Sequence, residues 1–145
     1  MQPQMQSQWV GVDTGRARCG LAVADTTATL ASPLGVVVTE PQLSLGGRVL
    51  ESLGERELRG IIVGLPLDLR GGEGESAQFA RKLGEDLANK LHCELHFVDE
   101  RFTTAEMHAR RREAGKSGVQ RKADIDAWAA VAILQAFLDR QRAQQ

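Results

Sequence analysis

Aromatic residues make up only 4% of this 145-residue chain, and tyrosine is absent. A surface that stacks successive nucleic-acid bases on aromatic rings is therefore not expected. Cysteine is equally scarce. Cys19 and Cys93 show no metal-binding spacing and each lies in an apolar stretch. They read as buried reduced thiols, and nothing supports a redox bridge between subunits. No apolar run approaches the roughly 20 residues needed to cross a bilayer. Residues 1–8 are glutamine-rich and lack a signal-peptide pattern, so a cytoplasmic chain without a membrane partner is expected. The glycine-rich stretch from Gly64 to Gly74 lacks Gly-Lys-Ser/Thr and so is not a phosphate-binding P-loop, and no serine or cysteine sits in an evident triad arrangement. His92, His96 and His108 also lack ligand spacing and read as strand-edge or helix-surface residues. The formal net charge is −1, so bulk charge points to no polyanion; its distribution along the chain matters more.

What is present is the material of one ordinary α/β domain, expected over residues 9–140 with flexible tails at 1–8 and 141–145. Trp9-Val10-Gly11-Val12-Asp13 and Cys19-Gly20-Leu21-Ala22-Val23-Ala24 flank a four-residue turn containing Gly15, which predicts an antiparallel hairpin. Leu34-Gly35-Val36-Val37-Val38 extends it as a third strand. Leu45, Val49 and Leu53 recur at helical spacing, although Gly46 and Gly47 each cost about 1 kcal/mol relative to alanine. Ile61-Ile62-Val63-Gly64-Leu65, stopped by Pro66, predicts a buried strand. A glycine-rich segment over residues 70–74 reads as a loop, either an ordinary connection or a flexible rim of a cleft. Ser76 then opens a helix carrying Phe79, Ala80, Leu83 and Leu87, and Cys93, Leu95 and Phe97 alternate in a strand that ends at Asp99-Glu100. Thr103 to Glu106 fits a capping box at the start of a short helix. The last helix is expected from about Asp124 to Arg140, with a stripe of Ala129, Ala130, Ile133 and Phe137. The order β-β-β-α-β-α-β-α-α predicts a mixed five-stranded sheet, three strands antiparallel and the later ones parallel, with helices on its faces.

Three acids stand out. Asp13 lies in Gly11-Val12-Asp13-Thr14-Gly15, where a buried carboxylate is costly unless paired; the alternative is that it caps its own turn. Glu100 ends a strand, where open α/β sheets usually place ligands; the alternative is a surface ion pair with Arg101. Asp126 precedes Ala129, Ala130, Ile133 and Phe137 by offsets that put it on the buried helix face; the alternative is a first-turn acid favoured by the helix dipole. Asp124, about 200° around the helix, is better read as an N-cap. Should the three converge, carboxylates about 4 Å apart repel by roughly 4 kcal/mol at an effective dielectric near 20. A divalent cation is the simplest counter-charge, and an oxygen-only ligand set suits Mg²⁺ or Mn²⁺.

Between Glu100 and Asp126 lies a basic tract: Arg101, Arg110, Arg111, Arg112, Lys116, Arg121 and Lys122, against only Glu106 and Glu113. It is either a solvated helix face and loop or a strip that contacts phosphates, which Arg16, Arg18 and Arg70 would extend. With so few aromatics, recognition by backbone and shape is expected.

Gly11 to Gly15 with Arg18 to Asp25, then Val63-Gly64-Leu65-Pro66, Asp99-Glu100-Arg101-Phe102-Thr103-Thr104 and Ile125-Asp126-Ala127-Trp128-Ala129-Ala130 together resemble the YqgF/RuvX family in order and spacing. The resemblance covers essentially the whole chain after residue 8. Cys19 stands where isoleucine is more usual, and Phe102 where leucine is. The resemblance implies an RNase H-like fold and a metal-dependent nuclease, with Asp13, Glu100 and Asp126 as catalytic acids. Family members are described both as Holliday junction resolvases and as nucleases maturing the 5′ end of small-subunit ribosomal RNA. Branched DNA and precursor rRNA are thus both implied partners, and a two-fold junction substrate would favour a homodimer. Two other readings compete: a non-catalytic nucleic-acid-binding module on the same fold, and a nucleotide-handling domain akin to actin-like ATPases. The second shares the first hairpin, but 145 residues cannot supply its two lobes.

Overall fold

A computed structural model describes residues 8–100 and 127–144. Five strands, β1 (Gln8–Asp13), β2 (Arg18–Ala24), β3 (Ala31–Val38), β4 (Leu58–Leu65) and β5 (Glu94–Asp99), form one sheet in the order β3-β2-β1-β4-β5. β1 pairs antiparallel with β2, and β2 with β3, whereas β4 pairs parallel with β1, and β5 with β4. This is the mixed, RNase H-like arrangement expected from the element order. Three described helices cover the sheet: α1 (Leu45–Leu53), α2 (Glu75–Leu91) and α3 (Trp128–Ala143). None of the described helices is long and apolar enough to cross a membrane. The expected helix after Thr103 and the beginning of the last helix at Asp124 fall outside the described residues.

Strand alternation divides the core in two. Val10, Val12, Ile61 and Val63 point to one face, where they meet Leu45, Val49 and Leu53 of α1 and Ala80, Leu83 and Leu87 of α2. Trp9 and Ile62 point to the other face, where α3 lies. The sheet is thin enough for α3 to press onto its backbone because Gly11 has no side chain. A Cβ there would stand 2.8 Å from Leu134 Cβ and 2.9 Å from the Ala130 carbonyl oxygen.

Several boundaries differ from the sequence-based expectation. β1 already includes Gln8, whose amide donates to the Ala24 carbonyl at 3.1 Å. β3 begins at Ala31, three residues early, with its first N–H bonded to the buried Gln135 side chain at 2.9 Å. α2 starts at Glu75 after Gly74. α3 runs on to Ala143, and an Asp139–Arg142 ion pair at 2.7 Å spans its last turn. Ala129, expected in the buried stripe, is exposed. Trp128, Ala130, Val131, Ala132, Ile133, Leu134, Gln135 and Leu138 are buried instead, so α3 is enclosed on most of its circumference and a single stripe does not describe it.

Candidate active site at the carboxyl ends of three parallel strands

β1, β4 and β5 run parallel, so their carboxyl ends share one edge of the sheet. Val12 is paired with Val63, and Leu65 with Asp99, which sets Asp13 one step beyond the β1–β4 pairing and Glu100 one step beyond β5. Asp13 is two residues from Gly11 and therefore faces α3. Gly64 faces the same way. A Cβ on it would collide with Ile133 Cδ1 and stand 3.0 Å from both Cγ and Oε2 of Glu100. Glu100 thus folds back over the backbone of β4, into the space that glycine leaves open.

The electrostatics follow from this placement. Burial pushes the Asp13 carboxyl up to about 6. Burial also pushes Glu100 up, to about 7, helped by the charges of Asp13 and then Asp99. Asp13 ionises first, and its charge then opposes ionisation of Glu100. Among the described residues no arginine or lysine forms an ion pair with either carboxylate. Two oxygen donors from the ends of different strands, both raised by burial and one of them further by the charge of the other, suit a hard divalent cation. The described residues contain no group of three His, Cys, Asp or Glu side chains fit to hold a metal. Asp126, the third expected acid, lies outside them.

Arg16 is exposed in the turn after β1, Arg18 opens β2 with its side chain outward, and Arg70 is exposed in the loop after β4. Arg101, Arg110, Arg111, Lys116, Arg121 and Lys122 lie outside the described residues. The glycine-rich loop is a closed turn: Asp68 Oδ1 accepts the Arg70 N–H at 2.9 Å and the Gly72 N–H at 2.7 Å. Gly71 between them has φ of 85°, a value that favours glycine. The cysteines are unbridged, with Cys19 buried and Cys93 half-buried. His92 caps α2, and His96 pairs with Glu94 at 2.9 Å and stacks edge-on to Trp9.

Two contributors to the site carry no chemical group that a sequence scan would flag. Gly64 acts by leaving space. Thr39 is buried, and its hydroxyl donates to the Gly15 carbonyl at 2.7 Å while its N–H donates to Ala17 at 3.0 Å. It ties the turn after Asp13 to the end of β3. A polar residue directly after the apolar run 34–38 is the only trace of this in the sequence.

Known proteins place this arrangement. A relative from Anaeromyxobacter sp., named "Putative pre-16S rRNA nuclease", is 40% identical over 136 residues, covering 94% of this chain and 99% of its own. One of the same name from Bifidobacterium adolescentis is 35% identical over 148 residues, covering 92% and 98%. Among solved structures, T. thermophilus RuvC in complex with Holliday junction substrate superposes with a TM-score of 0.62 at 20% identity, covering 94% of this chain and 96% of that one. The Fowlpox virus resolvase in complex with Holliday junction DNA superposes at 0.55 and 9% identity, covering 92% and 98%. Both likenesses are of fold. The family described as RuvX, Holliday junction resolvase, matches residues 7–140. A match over that span, joined to relatives aligned over nearly their whole length, means that the chain belongs to the RuvX family.

Proposed function

We propose that this chain is a divalent-metal-dependent nuclease that hydrolyses phosphodiester bonds in structured nucleic acid, with Asp13, Glu100 and Asp126 as its catalytic and metal-holding acids. The observation that carries the reading is the pair Asp13 and Glu100, brought from the ends of separate strands onto one face and both pushed well above the ordinary carboxyl range by burial, without a described basic partner. For Asp126, the support is the run of α3 along β1. Trp9 meets Phe137 with ring centroids 4.7 Å apart, and Gly11 meets Leu134 and Ala130. In the sequence, Asp13 follows Gly11 by two residues and Asp126 precedes Ala130 by four. The bound ion would be Mg²⁺ or Mn²⁺, and it would supply activation of water and charge neutralisation on the phosphate.

The residues themselves divide the remaining work. Asp13 and Glu100 would hold the ion, and the apolar cover of Ile133 beside Glu100 limits water around the site. Arg16, Arg18 and Arg70, with Arg101, Arg110, Arg111, Lys116, Arg121 and Lys122, would contact substrate phosphates. Precursor 16S rRNA is the substrate favoured by the names of the relatives, and a four-way DNA junction is the one favoured by the family description. A junction would call for two copies acting on symmetric strands, hence a homodimer. The cytoplasm, where both substrates occur in a bacterium, is the compartment this activity requires. The test is a cleavage panel of precursor 16S rRNA against four-way DNA, with and without Mg²⁺ or Mn²⁺. Cleavage that needs the ion and falls at least 100-fold in Asp13→Asn is expected; unchanged cleavage by that variant defeats the assignment.

A further inference from the structure

The turn that follows Asp13 at the end of β1 opens onto a cavity of about 440 Å³. Its walls include Thr14 and Arg16 from that turn, Glu40 and Gln42 from the segment after β3, and Glu75 and Phe79 from the first turns of α2. The cavity is preformed. Thr39 holds the turn, and the Arg48 guanidinium holds the facing wall by donating to the carbonyls of Val38, Thr39 and Pro41 at 3.0, 2.9 and 3.0 Å.

The chemistry of the lining argues against a phosphate as occupant. Two carboxylates, Glu40 and Glu75, outnumber the one cation, Arg16. A neutral group with hydrogen-bond donors and a flat face suits the lining better. Phe79 is half-buried and offers a ring for stacking, which is sequence-tolerant by itself. The carboxylates are acceptors only, so they select an edge rich in N–H donors. Gln42 donates its amide N–H to Glu40 at 3.3 Å and so engages that carboxylate, which gives the selection to Glu75. Among the bases, guanine presents adjacent ring and exocyclic N–H groups that a single carboxylate can accept together; uracil and thymine present one.

We propose that this cavity captures one unpaired base of the substrate strand, guanine in preference to uracil or thymine, close to the bond that is cut. The inference rests on the nuclease reading for its substrate. It also revises the expectation drawn from aromatic scarcity: one well-placed ring reads one base, while the rest of the strand is held by its backbone.

The experiment measures binding and cleavage separately on two probes, a precursor 16S rRNA fragment and a four-way DNA junction. Each is scanned with single abasic nucleotides and, at any sensitive position, with each of the four bases. Binding is followed in Asp13→Asn, and cleavage in the otherwise unaltered chain with Mg²⁺. One position is expected at which base removal weakens binding about tenfold, the lower part of what one base–aromatic stack is worth. Guanine should restore it best. Phe79→Leu, which keeps an apolar side chain against α1 and the sheet, should erase the abasic sensitivity, and Glu75→Gln at an exposed position should erase the guanine preference. A flat scan, no binding to either probe, or a sensitivity that survives Phe79→Leu overturns the proposal. Metal-dependent cleavage with a flat scan would leave the nuclease reading standing alone. A base-selective scan without cleavage would remove the nuclease reading and leave the cavity.

Discussion

Gly64 illustrates how a residue can shape a charged site without taking part in it. Its missing side chain is the space that Glu100 occupies as it turns back from the end of β5 toward Asp13. Gly64→Ala would put a methyl group 3.0 Å from Glu100 Oε2 and closer still to Ile133 Cδ1, and one of them must yield. Displacements of about 1 Å at a reacting centre cost on the order of 100-fold in rate. Metal-dependent cleavage by Gly64→Ala should therefore fall about 10- to 100-fold, measured beside a circular dichroism spectrum that stays native. Wild-type activity in that variant would mean that the position of Glu100 is immaterial. Asp13 and Glu100 were themselves legible in the sequence, because an acid at the end of an apolar run is conspicuous. Gly64 was not legible in the same way, since nothing about a glycine in a sequence announces what fills the space it leaves.

Among the helices, α3 lies close over β1. That closeness rests on Gly11. Its replacement by alanine meets both a side chain and a backbone carbonyl of α3 within 3 Å, and the carbonyl cannot rotate away. Gly11→Ala should destabilise the fold by about 1–3 kcal/mol, the usual range for overpacking, seen as a drop in Tm of several degrees. An unchanged Tm would show that α3 is free to shift. The antiparallel meander and the switch to parallel pairing were readable from the order and spacing of the apolar runs, because each run alternates or ends at a turn residue. The buried circumference of α3 was not readable in the same way. Its helix is apolar on nearly every side, so periodicity points to no single face, and the exposed Ala129 is indistinguishable in sequence from the buried Ala130. Gln135 was likewise silent: its amide accepts from Ala31 and donates to Thr29 and Asp139, partners 104, 106 and 4 residues away.

For the whole molecule, the raised carboxyls tie stability to pH. Asp13 titrates near 6 and Glu100 near 7 in the fold, both above their ordinary values of 3.8 and 4.5. Each therefore binds its proton more readily folded than unfolded. Their contribution favours the fold fully below about pH 4 and is lost as pH rises through 6 and then 7. For Asp13 alone the loss is at most about 3 kcal/mol. In chelator, Tm should fall between pH 5 and pH 8, and Asp13→Asn should flatten that fall. A Tm that rises over this range in the unaltered chain would contradict the burial of these groups. Added Mg²⁺ should restore Tm at pH 8 more than at pH 5, because the ion competes with the protons.

The same competition gives the most direct test of whether these two acids share a cation. Mg²⁺ binding is measured by titration calorimetry at pH 6.5 in buffers of different ionisation enthalpy, which counts the protons released. With carboxyls at about 6 and 7, binding should expel about one proton per chain, and Asp13→Asn should weaken it sharply. Binding with no proton released, or equal binding by Asp13→Asn, would contradict the metal site on which the nuclease assignment stands.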